Sequence, residues 1–135
     1  MSKKAPISPS IFKAYDIRGK YPAEVNETVV FEVARALGKF WKKGAVIIGH
    51  DARLSSSALY KATIRGLKEN RVKVFPAGLI TTPTLSFLVG QMNAAGGLMI
   101  TASHNPKEYN GIKAVGRGAS AMSGKEVLKI LQKFR

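Results

Sequence analysis

The chain has no cysteine, which removes disulfide frameworks, zinc-thiolate sites and cysteine nucleophiles together and fits a reducing compartment. A cytoplasmic location is therefore the expectation. Acidic residues are scarce as well: 8 Asp plus Glu stand against 22 Lys plus Arg, a formal charge of +14. The only aspartates are Asp16 and Asp51. They lie far apart in the chain, so neither a paired-carboxylate acid/base site nor a self-contained cage for a hard metal is visible. No long apolar run is present, and the basic start "MSKKAPISPS" has no hydrophobic core behind it. It reads as neither a signal peptide nor a membrane anchor. Residues 1–10 are expected to form a flexible basic arm and residues 11–135 one domain, a length that can bury a core unaided.

The charge itself leaves two readings open. An excess of this size suits an anionic ligand, a nucleic acid or an acidic partner, yet the lysines are scattered and equally suit a solvated surface. Aromatics are few and no basic-aromatic reading platform appears, so specific nucleic-acid binding is not expected.

Hydrophobic spacing gives the architecture. Val29, Val33, Leu37 and Trp41 share one helical face, with Asn26 as its cap rather than a glycosylation acceptor, and Lys42-Lys43-Gly44 ends the helix. "AVIIG" at 45–49 is a short apolar strand. Leu59, Ala62, Thr63, Gly66 and Leu67 follow with helical spacing behind Ser55 to Ser57. "RVKVFPAG" predicts the next strand, and Thr82 before Pro83 opens a helix burying Leu85, Leu88, Val89 and Met92. "GGLMIT" and "GIKAVG" predict two more strands. Ser123-Gly124-Lys125-Glu126 is a capping box for a last helix burying Val127, Ile130, Leu131 and Phe134. This alternation predicts a three-layer α/β/α domain with a mixed, mostly parallel sheet. Ligands of such sheets lie beyond the carboxyl ends of the strands.

Three polar segments are placed to meet on that rim: "FKAYDIRGKY" at 12–21, "GHDARLSSS" at 49–57 and "TASHNPKEYNGIK" at 101–113. Arg18, Arg53, Lys107 and Lys113 would then gather around Ser103 and His104, a setting that suits phosphate. Ser103 is either a turn serine or a nucleophile. An acyl-transfer triad does not fit, because there is no Gly-x-Ser-x-Gly elbow and His104 is only the sequence neighbour of the serine. Phosphoryl transfer asks mainly for positioning and charge neutralisation, which these cations supply. His104 would donate to a phosphoryl oxygen, move a proton, or brace the loop. Asn105-Pro106 and Asn110-Gly111 read as turns. Lys113, inside an apolar strand, faces either solvent or the site. Arg53 meets either an anion or a neighbouring acid.

The segments "AYDIRG" (14–19), "GHDARLSS" (49–56) and above all "TASHNPKEYNGIK" (101–113) resemble the N-terminal domain of the α-D-phosphohexomutases, the phosphomannomutase/phosphoglucomutase group. The resemblance covers nearly the whole chain. It implies a catalytic phosphoserine at Ser103 and an intramolecular phosphotransferase activity interconverting hexose 1-phosphate and hexose 6-phosphate through a 1,6-bisphosphate, with a glucose 1,6-bisphosphate-type activator. It further implies that His104 and Lys113 assist proton transfer and charge stabilisation and that Tyr15 and Arg18 face the substrate or the phosphoserine. Arg53 and Asn110, in the same motifs, complete the candidate substrate and phosphate contacts. Mg2+ would be bound through the phosphoryl group on Ser103, its remaining ligands coming from further domains of the enzyme. Such enzymes have four domains, so this one alone is expected to be inactive or nearly so. "AYDIRG" leans away from the phosphoglucosamine branch, and Ala114 and Val115 stand where bulkier residues are common. The alternatives are a basic nucleic-acid module and a stand-alone phosphate-binding regulatory domain.

Overall fold

A computed structural model describes residues 6–135. The strands are β1 (Ile17–Lys20), β2 (Ala45–His50), β3 (Lys73–Leu79), β4 (Gly96–Ile100), β5 (Tyr109–Gly116) and β6 (Ala121–Met122). The helices are α1 (Glu27–Trp41), α2 (Ser56–Leu67), α3 (Thr82–Gln91) and α4 (Gly124–Phe134). They form one sheet of order β1-β5-β4-β2-β3, with β6 pairing β5. The pairs β2–β3 and β2–β4 are parallel, whereas β1–β5, β4–β5 and β5–β6 are antiparallel. The sheet is mixed, as expected, with one strand, β5, running against the rest. β5 lies between β1 and β4, and every pairing it makes is antiparallel. Strands β1 to β4 still point one way, and their carboxyl ends reach one rim.

The apolar stripes account for the layers. α1 buries Val29, Val30, Val33, Ala34, Leu37 and Trp41 and opens on Asn26, whose side chain accepts from Val29 N–H. Each Val or Leu side chain in this stripe contributes about 1.5–3 kcal/mol when fully withdrawn from water. α1, α2 and α4 cover one face through the larger cluster, which includes Val46, Ile48, Leu98, Ile100 and Ile112. α3 alone covers the other, where Ile47, Met99 and Val115 meet Leu85 and Val89. The Ser123/Glu126 capping box forms at α4. Burial differs from expectation at helix ends: Met92 caps α3 and is 41% exposed, while Ile130 and Phe134 only flank the core.

Residues 1–5 of the expected basic arm lie outside the described residues. Within the described part of that arm Ile7 packs against the core, and a 3-10 turn over Pro9–Ile11, capped by Ser8, buries Ile11. The body thus begins before residue 11. Asn110-Gly111 is not a turn either; both residues lie inside β5, paired with Gly19 and Arg18. No helix among the described residues is long and apolar enough to cross a membrane.

Candidate active site

All three polar segments meet at the common rim. The eight residues 101–108 join β4 to β5, and their ends are tied by Thr101 N–H to Gly111 O (3.0 Å) and Tyr21 N–H to Glu108 O (2.8 Å). Within the loop Asn105 N–H donates to Ala102 O and Tyr109 N–H to Pro106 O, each at 3.0 Å. Ser103 sits at the first bend with φ 56°. That left-handed conformation costs an L-residue about 1–2 kcal/mol, so neighbouring contacts must hold it. One is Thr101, whose Oγ1 accepts from Ser103 N–H at 3.0 Å.

The larger constraint is Arg53. Its Nη2 donates to the carbonyls of Ser103 (3.0 Å) and Asn105 (2.8 Å), and its Nη1 to those of Pro106 (2.7 Å) and Tyr109 (3.2 Å). Nε donates to Asp51 Oδ2 at 3.3 Å. A guanidinium has five N–H groups, and here all five are engaged. Arg53 thus meets a neighbouring acid and four loop carbonyls. As placed it offers no N–H to an anion, which corrects its expected role as a phosphate contact.

Asp51 anchors this clamp in turn. Its Oδ1 accepts from Ser56 Oγ (2.5 Å) and from Arg53 N–H (3.1 Å). Burial alone would push the Asp51 carboxyl up. Hydrogen bonds from Ser56, Thr101 and the Arg53 backbone, with the Arg53 charge, outweigh it and hold the group below its ordinary value. Asn110, the other expected phosphate contact, is completely buried. Its amide nitrogen donates to Ser55 Oγ (2.8 Å) and Ser56 Oγ (3.0 Å), while its oxygen accepts from Gly111 N–H. With no exposed atom it braces α2 against β5, and a direct contact with substrate is excluded in this conformation.

Arg18 is differently placed. Nε donates to the buried Asp16 and Nη1 to the side chain of Asn105, both at 2.7 Å. The remaining three N–H groups make no hydrogen bond among the described residues, and the side chain is 32% exposed. Lys113 shares the sheet face of Gly111, the partner of Arg18 in β1, and is half-buried. His104 and Lys107 are exposed on the loop, and Tyr15, before β1, is 81% exposed. Asp51, Ala52, Arg53, Asn105 and Lys107 line an open depression of about 410 Å3. The rim therefore combines a fixed serine with outward cations, a setting for phosphate esters. Asp51, Thr101, Ser56 and Asn105, not among the expected site residues, supply the support. Their signal was chemical: Asp51 and Thr101 directly follow apolar strands, Ser56 opens α2 and Asn105 lies in the loop, all places where short polar side chains bond to nearby groups.

No group of three or more His, Cys, Asp or Glu side chains converges among the described residues. The side chains present do not by themselves fit a Mg2+ site.

Residues 9–135 match the family model for phosphoglucomutase/phosphomannomutase, alpha/beta/alpha domain I. A phosphomannomutase of Klebsiella pneumoniae is 41% identical over 123 residues, covering 91% of this chain and 78% of that one. The Escherichia coli phosphomannomutase is also 41% identical over 123 residues, but these are only 27% of its length. An X-ray structure of a phosphoglucomutase/phosphomannomutase family protein from Burkholderia thailandensis superposes with a TM-score of 0.84 at 33% identity, over 96% of this chain and 30% of that one. A solved structure from Thermus thermophilus gives a TM-score of 0.85 at 32% identity, over 98% and 31%. The chain thus spans between a quarter and a third of most of these relatives. By these matches the chain belongs to the phosphoglucomutase/phosphomannomutase family, of which it represents the alpha/beta/alpha domain I.

Proposed function

We propose that this domain carries the phosphoryl-transfer serine of an enzyme that interconverts hexose 1-phosphate and hexose 6-phosphate. The observation that carries the reading is the fixed, left-handed Ser103 at the sheet rim, its loop clamped by Arg53 and flanked by cations with free donors. Phosphoryl transfer relies chiefly on such positioning and on neutralising charge around the moving group.

In the proposed reaction a phosphoryl group on Ser103 Oγ passes to a hydroxyl of the bound hexose phosphate. The P–Oγ bond breaks, a P–O bond to the sugar forms, and the hydroxyl proton leaves to a base. His104, exposed beside the serine, takes that role, and the departing Ser103 Oγ takes up a proton in exchange, leaving a serine hydroxyl ready to be re-phosphorylated. The product is a hexose 1,6-bisphosphate. Turned end for end, it returns its other phosphoryl to Ser103 and leaves the isomeric monophosphate. Arg18, with three free N–H groups, and Lys113 stabilise the charge on the transferring oxygens, and Tyr15 faces the sugar. A Mg2+ ion, when bound, would neutralise phosphoryl charge. This chain would offer it a phosphoserine oxygen, and the carboxylates would come from further domains.

The test is intact-mass analysis after incubation with glucose 1,6-bisphosphate, with the label mapped by peptide mass. Gain of one phosphoryl group on Ser103, abolished in Ser103→Ala, is expected. Undiminished labelling of Ser103→Ala, or a label mapped to another residue, refutes the assignment.

A further inference from the structure

Arg53 fixes more than the position of the loop; it fixes which way its peptides face. A trans peptide points its C=O and its N–H in opposite directions. The sole cis peptide among the described residues is Tyr21–Pro22, so the rule applies throughout 101–108. Because Arg53 draws the carbonyls of Ser103 and Pro106 inward, the N–H groups of His104 and Lys107 turn away from it. Neither N–H has a hydrogen-bond partner among the described residues. On the inward side four carbonyls, those of Ser103, Asn105, Pro106 and Tyr109, are held by one guanidinium. The opposite side presents unpaired donors, a backbone arrangement that attracts anions.

The His104 N–H belongs to the peptide that immediately follows Ser103. A group esterified to Ser103 Oγ is therefore within reach of that N–H by covalent geometry alone. The cation itself faces the other way and is matched by Asp51, so it acts through the loop and not by contact with the anion.

We infer that Arg53 is a positioning residue whose carbonyl clamp turns the His104 backbone N–H into a hydrogen-bond donor for a phosphoryl group on Ser103. The inference rests on the reading of Ser103 as the phosphoryl carrier. Lysine cannot replace Arg53 in this role, because one ammonium has three donors and no fork to span four carbonyls and a carboxylate.

The experiment uses this chain with phosphoserine installed at position 103 during expression, so no mutase turnover is required. Amide proton shifts are compared with and without the phosphoryl group at one fixed, mildly alkaline pH. A downfield displacement of the His104 amide on phosphorylation is expected, as for N–H groups that donate to a dianion. In Arg53→Lys the displacement falls to less than half while the rest of the spectrum keeps its dispersion. In Arg53→Ala, millimolar guanidinium restores it. An unmoved His104 amide in the wild-type phosphoprotein overturns the inference. So does a full displacement in Arg53→Lys, which would show that the peptide needs no clamp. If Arg53→Ala does not fold, the lysine variant and the wild-type pair still decide the matter. Failure here is distinct from failure of the proposed function, since phosphoserine is present whether or not a sugar bisphosphate can deliver it.

Discussion

Replacing Asp51 by asparagine removes one negative charge and one acceptor from the base of the clamp. Asp51 Oδ1 receives Ser56 Oγ and Arg53 N–H, and Oδ2 receives Arg53 Nε. An amide cannot serve both ends. Whichever way it is turned, its NH2 meets an N–H donor of Arg53, from the backbone or from Nε. Removing a hydrogen bond to a charged group costs about 1.5–3 kcal/mol. The side chains of Arg53 and Asp51 retain 14% and 25% exposure, so partial hydration moves the figure toward the lower end, about 2 kcal/mol. Unfolding entropy near 2.1 cal/mol/K per residue gives roughly 280 cal/mol/K for this chain, and the loss becomes a fall in Tm of about 7 °C. Thermal melts followed by circular dichroism from neutral to acid pH are the assay. The folded-state pKa of Asp51 lies below its ordinary value, so its stabilisation is complete above the unfolded pKa of about 3.9 and disappears as pH falls through the folded value. The gap between wild type and Asp51→Asn should therefore be widest near neutrality and close in acid. Equal melting temperatures at neutral pH, or a gap undiminished at about pH 2, would refute the reasoning.

Gly111→Ala should detach β1 from β5. A Cβ there would collide with Ile17 O and lie 3.0 Å from Arg18 Cα, both backbone, and overpacking that the main chain cannot relieve costs about 3 kcal/mol or more. Loss of hydrogen-exchange protection over 17–20, together with weaker phosphoryl labelling of Ser103 as Arg18 is displaced, is expected; unchanged protection would count against the pairing. Ser123→Ala provides the contrast: it removes the α4 capping box and should cost about 1 kcal/mol in denaturant melts while leaving Ser103 labelling at the wild-type level.

Periodicity made the layers legible. Val29, Val33 and Leu37 fixed the buried side of α1, and the runs 45–49 and 96–100 were apolar enough to be interior strands on their own. β1 was not legible, because Ile17–Lys20 is four residues long and reads Ile-Arg-Gly-Lys. That pattern is also what a polar loop looks like, and only pairing with β5 makes it a strand. Asn110-Gly111 failed for the opposite reason. The dipeptide favours a turn locally, but here Asn110 bonds two serines of the α2 start and Gly111 permits the close approach of β1. Tertiary contact decided both.

At the site, residue type was legible and residue role was not. Arg18 and Arg53 are the same side chain, each two residues beyond an aspartate with which it pairs. Their difference lies in what else surrounds them. Around Arg53 the loop closes with four carbonyls turned inward, and every donor is consumed. Arg18 reaches the loop through one side-chain oxygen, Asn105 Oδ1, and keeps three donors. The direction of a peptide plane is set by the left-handed turn at Ser103 and by long-range closure, neither of which the spacing of charged residues encodes. One arginine therefore builds the loop and the other remains open to a ligand. A substitution at Arg53 should thus disturb loop order before it disturbs binding, whereas one at Arg18 should do the reverse.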